Sequence, residues 1–480
     1  MSNRYELLLS PIQVGNVLLK NRMVSTAGIP HMLQGTEEYP TDRLISHLAN
    51  RAKNGAAAVY FTFAMRTAEG PGGPPMKPGE IAMSFPPHDT AVNIAKTSAH
   101  NYLCQMIDAI RYYGSIPITG PNATFTRTEE QGMGPQAMMM AQGDKKDGPG
   151  GPGGPGGPGG PGGPGGPGGP GGPGGGMPDM FGGPFEETVP AVKKSPIQIL
   201  NPGPSIADTF TKSQMHEYID TAVASAKELK ALGFQMFSFH NAYRGGPGAQ
   251  FWSPLTNHRH DEYGVDTVEN RTRFLIEFLD AMKQTLGKDF PLEVLISGTE
   301  PGGATIADTV QLARLLEGHC DILSIRNGVQ DPQHPTGFTS TRATRWPNEE
   351  VTTAVTRDCH LRGAKLLIGA TAGLHDADLC ESVIANEQAD LVCMARSWIC
   401  DSEYGKKLYE GRGEDITPCV RCNKCHVPND TDKFRSFCSV NPLIGLEDKI
   451  DRMIAPVERE KKVAVVGGGP AGMYAAMTLR

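Results

Sequence analysis

Eight short apolar runs, each followed by an amphipathic stretch, lead into a C-x2-C-x2-C-x12-C array and then a late glycine-rich turn. Together they predict an α/β chain: a (β/α)8 TIM barrel, then a cysteine-cluster segment, then the start of a Rossmann-type dinucleotide-binding domain. The boundaries fall at 1–410, 411–460 and 461–480. A single ordinary domain is too small for 480 residues, whereas a large barrel with an appendage fits.

The strands are read at 22–28, 56–63, 116–122, 236–241, 291–297, 321–327, 365–370 and 391–396. Helical periodicity covers 41–54, 90–112, 211–232, 267–286, 305–318, 349–361 and 375–387. Thr211 and Gln214 have the spacing of a capping box at the start of one helix. An open doubly wound sheet uses the same alternation, but a count of eight favours closure. Between the third and fourth strands, residues 148–176 are almost pure Pro-Gly-Gly. That composition buries no core and reads as a disordered insert rather than a collagen triplet array. It falls in a connection on the barrel face where active sites form.

Hydrophobic residues make up 39% and charged residues 20%, with a net charge of −7. These values describe a soluble globular protein and argue against nucleic acid as a partner. No apolar run reaches membrane-spanning length and the N-terminus is a poor secretory signal, so a cytoplasmic homo-oligomer with a small-molecule substrate is expected. Of ten cysteines, Cys104, Cys320, Cys359, Cys380, Cys393 and Cys400 are scattered and read as reduced thiols. The other four, Cys419, Cys422, Cys425 and Cys438, suit a metal centre. Zinc sites more often use two separated pairs, whereas three close cysteines and a distant fourth suit a [4Fe–4S] cubane. KKVAVVGGGPAGM reads as strand, glycine turn and helix start: Gly467 makes the turn, Gly469 admits a pyrophosphate and Gly472 lets the helix pack. The chain ends at Arg480, so a fragment of a longer protein is expected.

Three stretches resemble the old yellow enzyme family of flavin-dependent ene-reductases: SPIQVGNVLLKNRMV, QFWSPLTNHRHDEYGVDTVENRTRF and ADLVCMARSWICD. With the cysteine array and the glycine turn, the chain looks like the multidomain branch that includes 2,4-dienoyl-CoA reductase and trimethylamine dehydrogenase. The resemblance implies FMN in the barrel, a [4Fe–4S] cluster on the four cysteines, FAD in the full-length protein, and NAD(P)H as electron donor. Ser25, Thr26 and Ala27 would line the flavin, and Gly369, Ala370 and Thr371 with Ala395 and Arg396 would hold its phosphate. The family's third-strand glutamine aligns with Thr119, and its fifth-strand arginine with Leu295, leaving Arg326 on the sixth strand as the compensating cation. The fourth strand ends HNAYRGG: the resemblance implies that His240, matching the family's first histidine, polarises the substrate carbonyl with Tyr243, and that Tyr243 or Arg244 supplies the proton.

The function implied is reduction of an activated C=C bond in an enone-like substrate. Amine-dehydrogenase chemistry and a non-catalytic electron-transfer or partner-binding barrel are the alternatives.

Overall fold

The computed structural model describes residues 3–26, 28, 39–61, 65–66, 92–93, 97–121, 205–242, 246–327, 345–425, 437–453 and 458–479. Eight parallel strands close a barrel: β1 (Met23–Ser25), β2 (Ala58–Tyr60), β3 (Ile116–Thr119), β4 (Met236–Asn241), β5 (Leu292–Ser297), β6 (Ile322–Arg326), β7 (Leu367–Ala370) and β8 (Leu391–Met394). Each pairs with the next in sequence, and β8 returns to β1 through Val392↔Met23 and Met394↔Ser25. All eight lie within the runs read from the sequence. The Pro-Gly-Gly insert lies outside the described residues.

Alternation along the strands builds two cores. Outward side chains such as Val59, Phe237, Val294, Leu323 and Ile368 pack beneath the helices. Inward ones, including Val24, Ala58, Ile118, Met236, Ile322 and Leu391, fill the lumen. A hairpin of Ile12–Val14 and Val17–Leu19 plugs the N-terminal end with Val14, Val17 and Leu19. Its tip needs glycine: Gly15 has φ +51, and a Cβ there would come 2.3 Å from the Asp289 carbonyl oxygen.

The helical layer comprises α1 (Asp42–Lys53), α2 (Thr97–Tyr112), α3 (Lys212–Leu232), α4 (Val268–Leu286), α5 (Ile306–Leu316), α6 (Glu349–Arg362) and α7 (Ala377–Ala385). Side chains set several of their starts. The α3 capping box forms as read, with Thr211 accepting from the Gln214 N–H while Gln214 reaches back. Thr305 and Asp308 do the same for α5, and Thr41 caps α1. Of the helix expected over 90–112, Thr97–Tyr112 is helical, whereas Val92 and Asn93 pair with Met65 and Arg66 as a two-stranded ladder. Among the described residues, no helix is long and apolar enough to cross a membrane.

After β8 come α8 (Arg396–Cys400), α9 (Tyr404–Tyr409) and the cysteine loop, and then α10 (Glu447–Met453). This segment docks on α1: Arg43 donates to the Ile444 and Gly445 carbonyls, and Ser46 to Asp448 at 2.6 Å. Farther on, α11 (Pro470–Thr478) follows the glycine turn. The strand expected before that turn is not assigned, because no described residue pairs with 461–466 to complete a ladder.

Candidate functional site at the barrel mouth and cysteine loop

The lumen changes character from bottom to top. Above the apolar floor, Ser238 on β4, Glu293 on β5, Ser324 on β6 and Cys393 on β8 form a buried polar layer. The Ser324 hydroxyl donates to Glu293 at 2.5 Å and contacts the Cys393 sulfur at 3.6 Å. Burial raises the Glu293 carboxyl, while the Ser238 and Ser324 hydroxyls and the Arg326 charge oppose that rise. Gly369 completes the layer because nothing larger fits: a Cβ would come 2.4 Å from Ser324 Oγ.

One pleat higher, at the C-terminal mouth, Arg326 Nη1 donates to His240 Nε2 at 2.9 Å. A guanidinium only donates, so Nε2 accepts and the imidazole is neutral. The surrounding protein and then the Arg326 charge push the His240 pKa down, against a hydrogen bond to its own main chain. Its ring nonetheless opens to the mouth. Leu295, level with His240 in the β4–β5 register, is wholly apolar and buried. Among the described residues, Arg326 on β6 places a cation beside His240.

The other flavin-site candidates divide by strand face. Thr26 is buried at the β1 end, its N–H donating to the Met394 carbonyl at 3.0 Å. Ser25 faces the helices and accepts from Arg51 at 3.1 Å. Thr119 also faces outward, since its neighbour Ile118 occupies the lumen, and its hydroxyl donates to the Phe61 carbonyl at 3.1 Å. Ala370 packs under the helices, and Thr371 donates to the Ile325 carbonyl at 2.8 Å. Beyond them Ala372 (φ +74) and Gly373 (φ +78) are both left-handed. Gly28 passes so close to Ala395 that a Cβ would sit 2.6 Å from its side chain. Ala27, Tyr243 and Arg244 lie outside the described residues.

In the cysteine loop, Arg421 (φ +54) and Asn423 (φ +59) are left-handed residues between the ligand candidates. Such conformations persist only where the surroundings enforce them. Arg396 donates through Nη1 to Asn423 Oδ1 at 2.5 Å, tying the loop to the end of β8. The Arg421 N–H points at Cys419 Sγ, 3.4 Å away. Burial raises Cys425, the Arg396 charge opposes that rise, and Cys419, Cys438 and Cys422 add to it.

A fifth thiol, Cys400, stands 3.7 Å from Cys438 Sγ. Hydrogen bonds among Cys400, Cys419 and Cys438 push the first up and the other two down. Among the described residues, no three His, Cys, Asp or Glu side chains close on a point as a single ion requires. Thiols with a backbone N–H donor beside them are the donor chemistry that a cubane takes.

At the glycine turn, Gly467 has φ +110, Gly469 precedes α11, and a Cβ on Gly472 would collide with the Gly467 carbonyl oxygen at 1.9 Å. The third glycine is what lets the helix close on the turn.

Sequence reading missed Glu293, Cys400, Asn423 and Arg51. A lone acid in the apolar run LEVLIS was the available signal for Glu293. For Arg51 the signal was spacing, since it continues the buried Leu44, His47, Leu48 face of α1.

Residues 186–415 match the NADH:flavin oxidoreductase / NADH oxidase family. The chain is 33% identical over 278 residues to an NADH oxidase of Thermoanaerobacter brockii, covering 56% of this chain and 41% of that protein. It is 28% identical over 287 residues to a cinnamate reductase of Clostridium sporogenes, covering 56% and 41%. The chain thus spans about two fifths of the length of these relatives. A 2-naphthoyl-CoA reductase structure superposes with TM-score 0.68 at 23% identity, over 98% of this chain and 62% of that one, and shows the same fold. Over residues 186–415 the chain is thus similar to the NADH:flavin oxidoreductase / NADH oxidase family, and its barrel is the fold of the superposed structure.

Proposed function

We propose that the barrel mouth holds FMN and that the protein reduces an activated C=C bond of an enone-like substrate. Electrons would arrive from NAD(P)H through FAD and a [4Fe–4S] cluster on Cys419, Cys422, Cys425 and Cys438. The observation that carries this reading is the Arg326–His240 pair at the mouth, a cation on β6 where the β5 position level with His240 is Leu295. Bound there, FMN would supply the hydride, and its reduced ring develops negative charge that a nearby guanidinium favours.

The chain's own residues then have distinct tasks. Ser324 and Glu293 support the mouth from below. His240 holds Arg326 by accepting at Nε2, which makes the histidine a positioning residue in this arrangement. Arg326 aims the charge-assisted donors that polarise a carbonyl or the ring edge. The left-handed Ala372–Gly373 turn, with Gly369 to Thr371 before it and Arg396 beside it, would receive the phosphate. Tyr243 or Arg244, just beyond β4, is the proposed proton source for the α-carbon. Gly467, Gly469 and Gly472 would take the FAD pyrophosphate. A cytoplasmic setting and a homo-oligomer complete the reading.

The test is NAD(P)H-dependent reduction of a cinnamate-type enone by the full-length protein and by Arg326→Leu. Loss of at least about tenfold in kcat/KM supports the reading, since a charged hydrogen bond is worth ~1.5–3 kcal/mol. Unchanged turnover in Arg326→Leu, or amine-dependent dye reduction in place of enone reduction, overturns it.

A further inference from the structure

The short helix α8 anchors the cysteine array at both of its ends. At its start Arg396 donates to Asn423 Oδ1 at 2.5 Å. At its end the two neighbours of Cys400 each hold a different segment of the array. The Ile399 carbonyl accepts from Asn441 Nδ2 at 2.8 Å, just beyond Cys438. Asp401 Oδ2 accepts the Thr417 N–H at 2.8 Å, just before Cys419, and is itself fixed by Lys407 Nζ at 2.6 Å. Cys400 is thereby set between the first and last cysteines of the array. It is 7% exposed, and its sulfur stands 3.7 Å from Cys438 Sγ.

That separation has a chemical meaning. Two thiolates bonded to one tetrahedral metal, with bonds of about 2.3 Å, stand about 3.8 Å apart. Ligands on different irons of a cubane stand farther apart, because a metal–metal edge lies between them. Cys400 and Cys438 are therefore spaced to reach one corner rather than two. A cubane iron leaves a single valence for the protein, its others being filled by inorganic sulfide, so one of these thiols binds while the other waits.

We propose that Cys400 is a reserve ligand for the cluster corner held by Cys438, giving the site one thiol more than it has corners. The inference rests on the reading that Cys419, Cys422, Cys425 and Cys438 hold a [4Fe–4S] cluster. The exchange is a ligand substitution: a Cys400–iron bond forms, the Cys438–iron bond breaks, and the proton leaving Cys400 is taken up by Cys438. No electron is transferred and no co-reactant is needed. A chain that loses the Cys438 sulfur thus keeps a complete ligand set.

The experiment is iron and sulfide analysis, with EPR of the dithionite-reduced centre, on anaerobically purified full-length protein. It compares the unaltered chain with Cys400→Ala, Cys438→Ala and the double variant, each checked for folding by its circular dichroism melt. Both single variants should keep about four irons and a [4Fe–4S] signal, while the double variant loses at least one iron or the whole cluster. Should Cys438→Ala not fold, Cys438→Ser and Cys400→Ala/Cys438→Ser repeat the comparison. A Cys438 variant as poor in iron as its double variant overturns the proposal and leaves the cluster reading standing. Iron loss in Cys400→Ala alone also overturns it, since Cys400 would then be a resident ligand. So does a double variant that keeps all its iron, because another group then fills the corner. Absence of iron and sulfide from the unaltered protein removes the cluster reading itself, and the role of Cys400 with it.

Discussion

The two ends of the barrel lumen obey opposite rules. At the N-terminal end Val14, Val17, Leu19, Val24, Ile116, Met236 and Leu391 form one apolar cluster, closed by the hairpin. At the C-terminal end the same eight strands present Glu293, Ser324, His240 and Arg326. The backbone is continuous between them, so the difference comes from which side chains the alternating positions supply. The floor contributes burial energy. The mouth gives some of that up for a fixed cation over a buried acid, and such an arrangement is worth its cost where charge develops during a reaction.

Breaking the floor should cost stability and leave the mouth's ligand chemistry alone. Leu19→Ala removes a fully buried side chain from the plug and should lower unfolding free energy by about 3 kcal/mol in a denaturant titration. The flavin spectrum of the folded fraction should not change. Breaking the mouth should do the reverse. Arg326→Leu should weaken flavin retention by about 2 kcal/mol, read by fluorescence titration, with a near-normal melting temperature.

A third prediction concerns pH and the layer behind the mouth. His47 is buried on α1, and desolvation and then the Arg51 and Arg43 charges hold its pKa well below 6.5. The folded state therefore binds fewer protons than the unfolded chain once pH falls below about 6.5. Its contribution is fully present above that pH and is lost as pH drops toward the folded value, by up to about 1.4 kcal/mol per pH unit. Stability measured from pH 7 to pH 5 should fall, and His47→Phe should flatten that slope. Smallest is Thr211→Ala at the α3 cap, on the outer layer. It should cost about 1 kcal/mol and move nothing at either end of the lumen.

The barrel was legible because its signals are local. Apolar runs bounded by polar stretches located all eight strands, and the Thr211–Gln214 pair marked a helix start to the residue. Orientation was harder to read. Thr119 and Ser25 sit on runs buried on both faces, where composition does not say which side is the lumen, and both turn outward. Arg326 could be read at a strand end, whereas its pairing with His240 depends on strand register and closure. Cys400 and Asn423 meet the cysteine array only through tertiary contacts, Cys400 at the end of α8 and Asn423 under Arg396. The strand before Gly467 had a clear apolar pattern, yet a ladder needs a neighbour.

On the proposed reading, Arg326 makes the mouth a flavin site although Leu295 occupies the fifth-strand position. Released-flavin and iron analysis of the anaerobically purified full-length protein tests it most directly. The account predicts about one FMN and about four iron atoms per chain. Iron at that level without FMN would contradict it, because the cation on β6 would then have failed to replace the one missing from β5.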